Sequence, residues 1–420
     1  MRLQGVRKRS LATLIVSLAA LLIGPSAASG SGSGVWTAVW GTSPQRAGAS
    51  FAPNWSEAGF SNQTVRQVVR VSAGGVATRV RLSNQYGSTP LKVAGATIAR
   101  TTSGAAVQPS SLRQLTVRHA RSFTIPVGRE VATDLVPMRL AALESVTITL
   151  YLASPTGPAT YHPLALATSY RATGDHRSDV GGAPFTETSS SWYYVSGLDV
   201  VGQAKRSTGV VAFGDSITDG AGGTADNRYP DQLAERLASA GRPRAVVNQG
   251  ISGNRVTVDS AWFGDKAVSR FQRDVLDQPG VGTVIILAGI NDLGISEVAA
   301  NPPFPIFAPF TKVSAKQIIA GQRKLIVRAR ADGLRVIGAT LLPIKGSSYY
   351  TAASEAKRDA VNHWIRTSAE YDAVVDLDRV MASPTDADQL RPPYDSGDHL
   401  HPSDAGYDAM ANAIDLNDLG

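Results

Sequence analysis

The chain has no cysteine among its 420 residues, which excludes disulfides, a thiol nucleophile and a thiolate metal site. It has only six histidines, so a site that depends on an imidazole has few places to be. Long apolar runs are scarce. Beyond the N-terminal stretch none approaches the roughly 18 continuous apolar residues of a membrane span, so no stable membrane insertion is expected of the mature chain. Charge of one sign is not in great excess either. The formal net charge of +7 falls to +3 without the first 28 residues, which hold four basic residues and no acidic one. So mild a basicity needs no nucleic-acid partner, and none is expected. With no disulfides, stability outside a cell has to come from sizeable packed cores.

The N-terminal stretch has its own logic. Arg2, Arg7, Lys8 and Arg9 precede the apolar run Leu11 to Ile23, and Ser26-Ala27-Ala28 supplies small residues for cleavage. That is the layout of a secretory signal peptide over 1–28, so the protein is expected to be secreted, into the extracellular space. Residues 29–34, SGSGSG, read as a flexible tether.

From 35 to 205 the chain alternates apolar and polar residues over short segments: Thr64 to Val71, Ala77 to Leu82 and Ser145 to Tyr151. Turn clusters such as Ser72-Ala73-Gly74-Gly75 separate them, which predicts an all-β sandwich with no long helix before about 205. From 206 to 420 the rhythm changes. Apolar runs at Val210–Phe213, Ala245–Val247, Thr283–Ala288, Leu334–Leu342 and Ala373–Val375 read as parallel strands buried on both faces. Helical patterns lie between them. One starts at Pro230-Asp231 and stops at Gly241; another follows the capping-box spacing Ser314 to Gln317 and ends at Gly333. This is an α/β, doubly wound domain, whose ligands bind at the carboxyl ends of the strands. The proline- and phenylalanine-rich segment 301–310 breaks the scheme and reads either as a substrate-facing flap or as a packed surface loop.

The residues able to carry chemistry follow the expected strands. Val210 to Gly220 reads VVAFGDSITDG, with Ser216 just past a strand. A serine hydroxyl is a poor nucleophile without a base, and the base needs an orienting acid. His401 has Asp398 three residues before it, in a loop ahead of a helix that Ser403 can cap. His399, adjacent to Asp398, is the competing base, and its ring is expected to project elsewhere. His119 and His162 fall in the β-rich part, His162 without an acid at the equivalent spacing. His176 lacks a later histidine in register, and His363 sits on an expected helix. Oxyanion donors are available at Gly253, in the loop after the second strand, and at Asn291, directly after the third. Each of these also has a bland role, the glycine as a turn residue and Asn291 as a loop cap. No G-x-S-x-G elbow is present.

Gly214-Asp215-Ser216-Ile217, Gly253, Gly289-Ile290-Asn291-Asp292 and Asp398-His399-Leu400-His401-Pro402 resemble the four ordered blocks of the SGNH, or GDSL-type, hydrolases over about residues 208 to 416. Ile217 stands where the family usually has leucine. The resemblance implies a three-layer, flavodoxin-like sheet, with Ser216 as nucleophile, His401 as base and then acid, and Asp398 as its partner. It further implies an oxyanion hole made by the backbone N–H groups of Ser216 and Gly253 and the Asn291 amide. The Asp226 to Asp231 neighbourhood and the GIND block are most similar to arylesterase and acylhydrolase members, some associated with xylan degradation. A β-sandwich ahead of the hydrolase is similar to that of several secreted bacterial members.

The resulting expectation is a secreted, monomeric serine esterase without cofactor or metal, acting on short-chain or acetyl esters, including those of plant polysaccharide. Two other readings remain at this point. One is a lipase or phospholipase for longer acyl chains. The other is an inactive carbohydrate-binding protein that uses Trp36, Trp40, Trp55 and Trp192 as stacking platforms. Gly220 to Ala225 loosely matches a phosphate cradle but begins too far past its strand, and Asp376-Leu377-Asp378 lacks a coherent set of metal ligands.

Overall fold

The computed structural model describes residues 35–202, 208–298 and 305–420. The expected signal peptide and tether, the boundary near 205 and residues 301–304 of the proline- and phenylalanine-rich segment lie outside the described residues.

In the N-terminal part, alternating residues form two antiparallel sheets. One is built from Thr37–Gly41, Val195–Val201, Ala77–Ser83 and Glu130–Ala132, in that spatial order. The other centres on Gln63–Arg70, Ser145–Leu152 and Gly95–Ser103. Val39, Val80, Leu82, Leu198 and Val200 from the first sheet share one core with Val65, Val69, Ile98, Val146, Ile148 and Leu150 from the second, as in a sandwich. The polar positions do not all reach solvent. Arg66 is fully buried, and its guanidinium donates to the carbonyls of Ala105 and Asp179 at 2.6 Å each, beneath the Phe185 ring. An alternating strand reads as half-exposed, but here the chain around 175–185 folds back over its polar face.

In the C-terminal part, five parallel strands lie in the spatial order Val246–Gly250, Gly209–Gly214, Val281–Leu287, Arg335–Ala339 and Ala373–Val375. By chain order this is 2-1-3-4-5, the flavodoxin-like arrangement, which reverses direction on either side of the first strand. Gly214 pairs with both Gly250 and Leu287, so the loops after the three central strands start level with one another. The second strand continues past its apolar run because Asn248 and Gln249 find partners: Asn248 donates to the Thr218 carbonyl at 2.6 Å, and Gln249 accepts from Ser43 at 2.7 Å. The helices Tyr229–Ser239, Ala315–Ala331 and Asp404–Ala413 cover the sheet. Ser314 and Gln317 cap the second of these reciprocally, and Ser403 caps the third.

The two parts meet along a polar seam. Ala38 donates to the Pro279 carbonyl (2.9 Å), Arg81 to Gln278 (2.6 Å), Arg70 to Glu235 (2.7 Å) and Tyr86 to Asp265 (2.7 Å). Residues 35–420 form one compact unit.

Candidate active site

Ser216 opens a single helical turn, Ser216–Asp219, directly after the first parallel strand. Asp215 caps that turn by accepting from the Ile217 N–H, and Gly220 closes it in the left-handed conformation at φ 112°. This turn holds the Ser216 side chain in place, with only 6% of the residue exposed. His401 Nε2 lies 2.9 Å from Ser216 Oγ, and His401 Nδ1 lies 2.6 Å from Asp398 Oδ2. The loop is one tight turn, in which Asp398 Oδ1 also accepts from the N–H groups of His401 (2.8 Å) and Leu400 (3.0 Å). Partial burial opposes ionisation of Asp398, but the hydrogen bond and charge of His401 and these two N–H groups prevail. They hold the carboxyl well below its usual range. Asp398 is thus fixed as an anion beside the imidazole.

His399 faces a different carboxylate, Asp395, at 2.5 Å. The competition between the two histidines is therefore resolved by a second Asp–His pair in the same loop, one not anticipated from spacing. His176 is held by Asp179 at 2.8 Å, and His363 is exposed on the helix Ala352–Thr367.

The two donor loops follow the strands on either side of the one that carries Ser216. Gly253 adopts φ 74°, and a side chain there would drive its Cβ to 2.2 Å from the Phe263 ring, so only glycine fits. Among the described residues its N–H makes no backbone hydrogen bond. Asn291 lies in the first turn of the helix Ile290–Glu297, after Gly289 at φ 128°. One hydrogen of its amide goes to the Asn254 carbonyl (3.1 Å), while Tyr349 donates to its Oδ1 (2.9 Å). The amide is thereby locked, and its second N–H has no partner among the described residues. The neighbouring Asp292 is fully buried and pins the end of the Gly253 loop, accepting from Val256 N–H (2.6 Å) and the Thr257 hydroxyl (2.8 Å).

Arg270 ties the loops together from below, a role that no motif announced. Its buried guanidinium donates to the carbonyls of Gly214 (2.6 Å) and Gln249 (2.8 Å), to Asn254 Oδ1 (3.0 Å) and to Asp274 (3.0 Å). Also missed in the sequence was a row of aromatic rings beside Gly253. Phe263, on Gly253, packs 5.8 Å from Phe307 and 6.4 Å from Phe51, and Phe51 is 75% exposed next to Trp262. The described part of the 301–310 segment is packed here, with Arg255 donating to the Pro309 carbonyl at 3.0 Å.

The weaker motifs are accounted for by other contacts. Thr224, in the glycine-rich stretch, donates its N–H (2.8 Å) and hydroxyl (2.6 Å) to Asp404, so a carboxylate takes the donors that a phosphate would need. Asp376 and Asp378 each receive Arg366 at 2.6 Å. Trp40 packs edge-on against Trp192 at 4.9 Å, Trp55 stacks on Tyr193 at 5.4 Å and Trp36 lies under the Arg79 guanidinium.

Residues 212–409 match the model of the GDSL-like lipase/acylhydrolase family. The chain carries a GDSL-like acylhydrolase domain. That domain makes the protein a carboxylic ester hydrolase. Among solved structures, the chain is similar to an α/β hydrolase from the metagenome of Lake Arreo, Spain (25% identity, 52% of this chain and 98% of that one, TM-score 0.39). It is similar also to an acetylxylan esterase from Geobacillus stearothermophilus (24%, 50% and 93%, 0.38). A GDSL-like lipase from Bacteroides thetaiotaomicron gives 21%, 50% and 87%, and 0.36. No curated protein matches the chain.

Proposed function

We propose that this acylhydrolase is a secreted serine esterase working through an acyl-enzyme, with short-chain or acetyl esters as substrates. The observation that carries the reading is the continuous Asp398–His401–Ser216 chain, with links of 2.6 and 2.9 Å. In this mechanism Ser216 Oγ attacks the ester carbonyl as its proton passes to His401 Nε2, and the ionised Asp398 stabilises the resulting imidazolium. The oxyanion receives hydrogen bonds from the N–H groups of Ser216 and Gly253 and from the spare Asn291 N–H. Collapse breaks the bond to the alcohol, which leaves with the proton from His401. Water then attacks the acyl-enzyme, giving one proton to His401, which returns it to Ser216 as the carboxylic acid departs.

The aromatic row beside Gly253 supports an alcohol portion with a flat face, an aryl group or a sugar ring, because such faces stack on exposed rings. The test is a chain-length series of aryl esters run alongside acetylated xylan, with Ser216→Ala as the blank. Highest kcat/KM on acetyl, with release of acetate from the polysaccharide, is the expected result; preference for long acyl chains overturns the short-acyl assignment. Secretion rests on the layout of residues 1–28. Recovery of a protein beginning near Ser29 from the medium tests it, and retention of the intact N-terminus inside the cell contradicts it.

A further inference from the structure

His162 belongs to the β-rich part, in the short strand Tyr161–His162, yet it reaches the turn that carries Ser216. Its Nε2 lies 3.0 Å from Asp219 Oδ1, and both side chains are only 2% exposed. Its Nδ1 lies 2.9 Å from the Ser43 carbonyl, and Nε2 also lies 3.2 Å from the Leu164 carbonyl. The ring stacks on Trp192 at 5.8 Å. Asp219 Oδ1 is an acceptor, so the contact is a hydrogen bond that Nε2 donates. The other oxygen of Asp219 accepts from the N–H (2.9 Å) and the hydroxyl (2.7 Å) of Ser252. Ser252 immediately precedes Gly253.

Asp219 is therefore a buried link with one end held by the β-rich part and the other holding the oxyanion loop. A buried carboxylate needs all its hydrogen bonds, and the loss of one lets the remainder shift. We propose that His162 is a positioning residue for the Gly253 N–H, acting through Asp219 and Ser252, so that the N-terminal part completes the active centre of the acylhydrolase. This inference rests on the reading of Ser216 as nucleophile and Gly253 as oxyanion donor.

Two amide replacements separate the ring's contacts. In His162→Gln the amide nitrogen takes the place of Nε2 and keeps the bond to Asp219; in His162→Asn it takes the place of Nδ1 and keeps only the bond to Ser43. With an aryl acetate as substrate, His162→Asn should lower kcat by about 10- to 100-fold at nearly constant KM, as expected when only transition-state contacts are displaced. His162→Gln should stay within about threefold of the parent. Inhibition by an alkyl boronic acid, whose adduct occupies the oxyanion hole, should weaken in parallel with kcat. Equal kcat in the two variants, or a change confined to KM, overturns the proposal. Ser216→Ala run beside them separates the two ideas: if it remains active, the serine reading fails, whereas an inactive Ser216→Ala with an unaffected His162→Asn refutes the His162 role alone.

Discussion

Two histidines and two aspartates within seven residues, Asp395, Asp398, His399 and His401, show how residue-scale geometry divides labour. Each histidine has its own carboxylate, and only His401 also reaches Ser216. His401→Ala should lower kcat/KM for an aryl acetate by about four orders of magnitude or more, as when a nucleophile loses its base, while His399→Ala should stay within about tenfold. The opposite ranking would reassign the base. The spacing of Asp398 and His401 was readable from sequence because one turn closes it. Asp395 was overlooked because its four-residue spacing to His399 needs the same loop folded back on itself.

Asp215 yields a prediction of a different kind. It is fully buried, its Oδ2 has no hydrogen-bond partner among the described residues, and burial pushes its carboxyl up to about 7, helped by nearby Asp292 and opposed by the Ile217 N–H and His401. The folded protein then holds a proton that the unfolded chain has released above about pH 4. Between about pH 4 and pH 7 the unfolded state binds fewer protons at this site, so its contribution to stability falls as pH rises, by at most about 1.4 kcal/mol per pH unit, and levels off above. Asp215→Asn removes that slope. Urea unfolding of parent and variant across this window should show the difference between them shifting in favour of the variant as pH rises. A constant difference would contradict the assignment.

At the scale of elements, the ends of the strands were less legible than their middles. The runs at Val210 and Thr283 are apolar apart from Thr283 itself and buried on both faces, so their strands announce themselves. The second strand carries Asn248 and Gln249, whose partners Thr218 and Ser43 come from other elements, and a search for apolar runs stops short of them. The fourth run spans 334–342 in the sequence, but its strand covers only Arg335–Ala339. Arg270 was hidden for a similar reason, since its helix Ala267–Phe271 lies away from every motif. It joins the ends of two strands to the Gly253 loop. Arg270→Met should cost about 3 to 5 kcal/mol of stability, because it strips a buried network of its cation. Asp274 would retain Arg273, which favours the lower end of that range. A loss below about 1 kcal/mol in urea unfolding would show that the network contributes little.

At the scale of the whole molecule, the sequence divided cleanly into a β-rich part and an α/β part because their hydrophobic periods differ. What it did not disclose was the seam. Contacts such as Ser43 with Gln249 and His162 with Asp219 join residues far apart in the chain, and neither partner has an unusual local context. His162 has no acid at a productive spacing in its own loop. Its acid comes from the turn that holds Ser216. The same separation concealed the aromatic row, in which Phe51 is contributed by the N-terminal part and Trp262, Phe263 and Phe307 by the C-terminal part.

Whether Ser216 is the nucleophile of an ester hydrolase is decided by initial rates on an aryl acetate for the parent and for Ser216→Ala, both shown to be folded by circular dichroism. The expected result is a loss of at least about four orders of magnitude in kcat/KM with an unchanged spectrum. A folded Ser216→Ala variant that keeps more than about a tenth of the parent rate would contradict it.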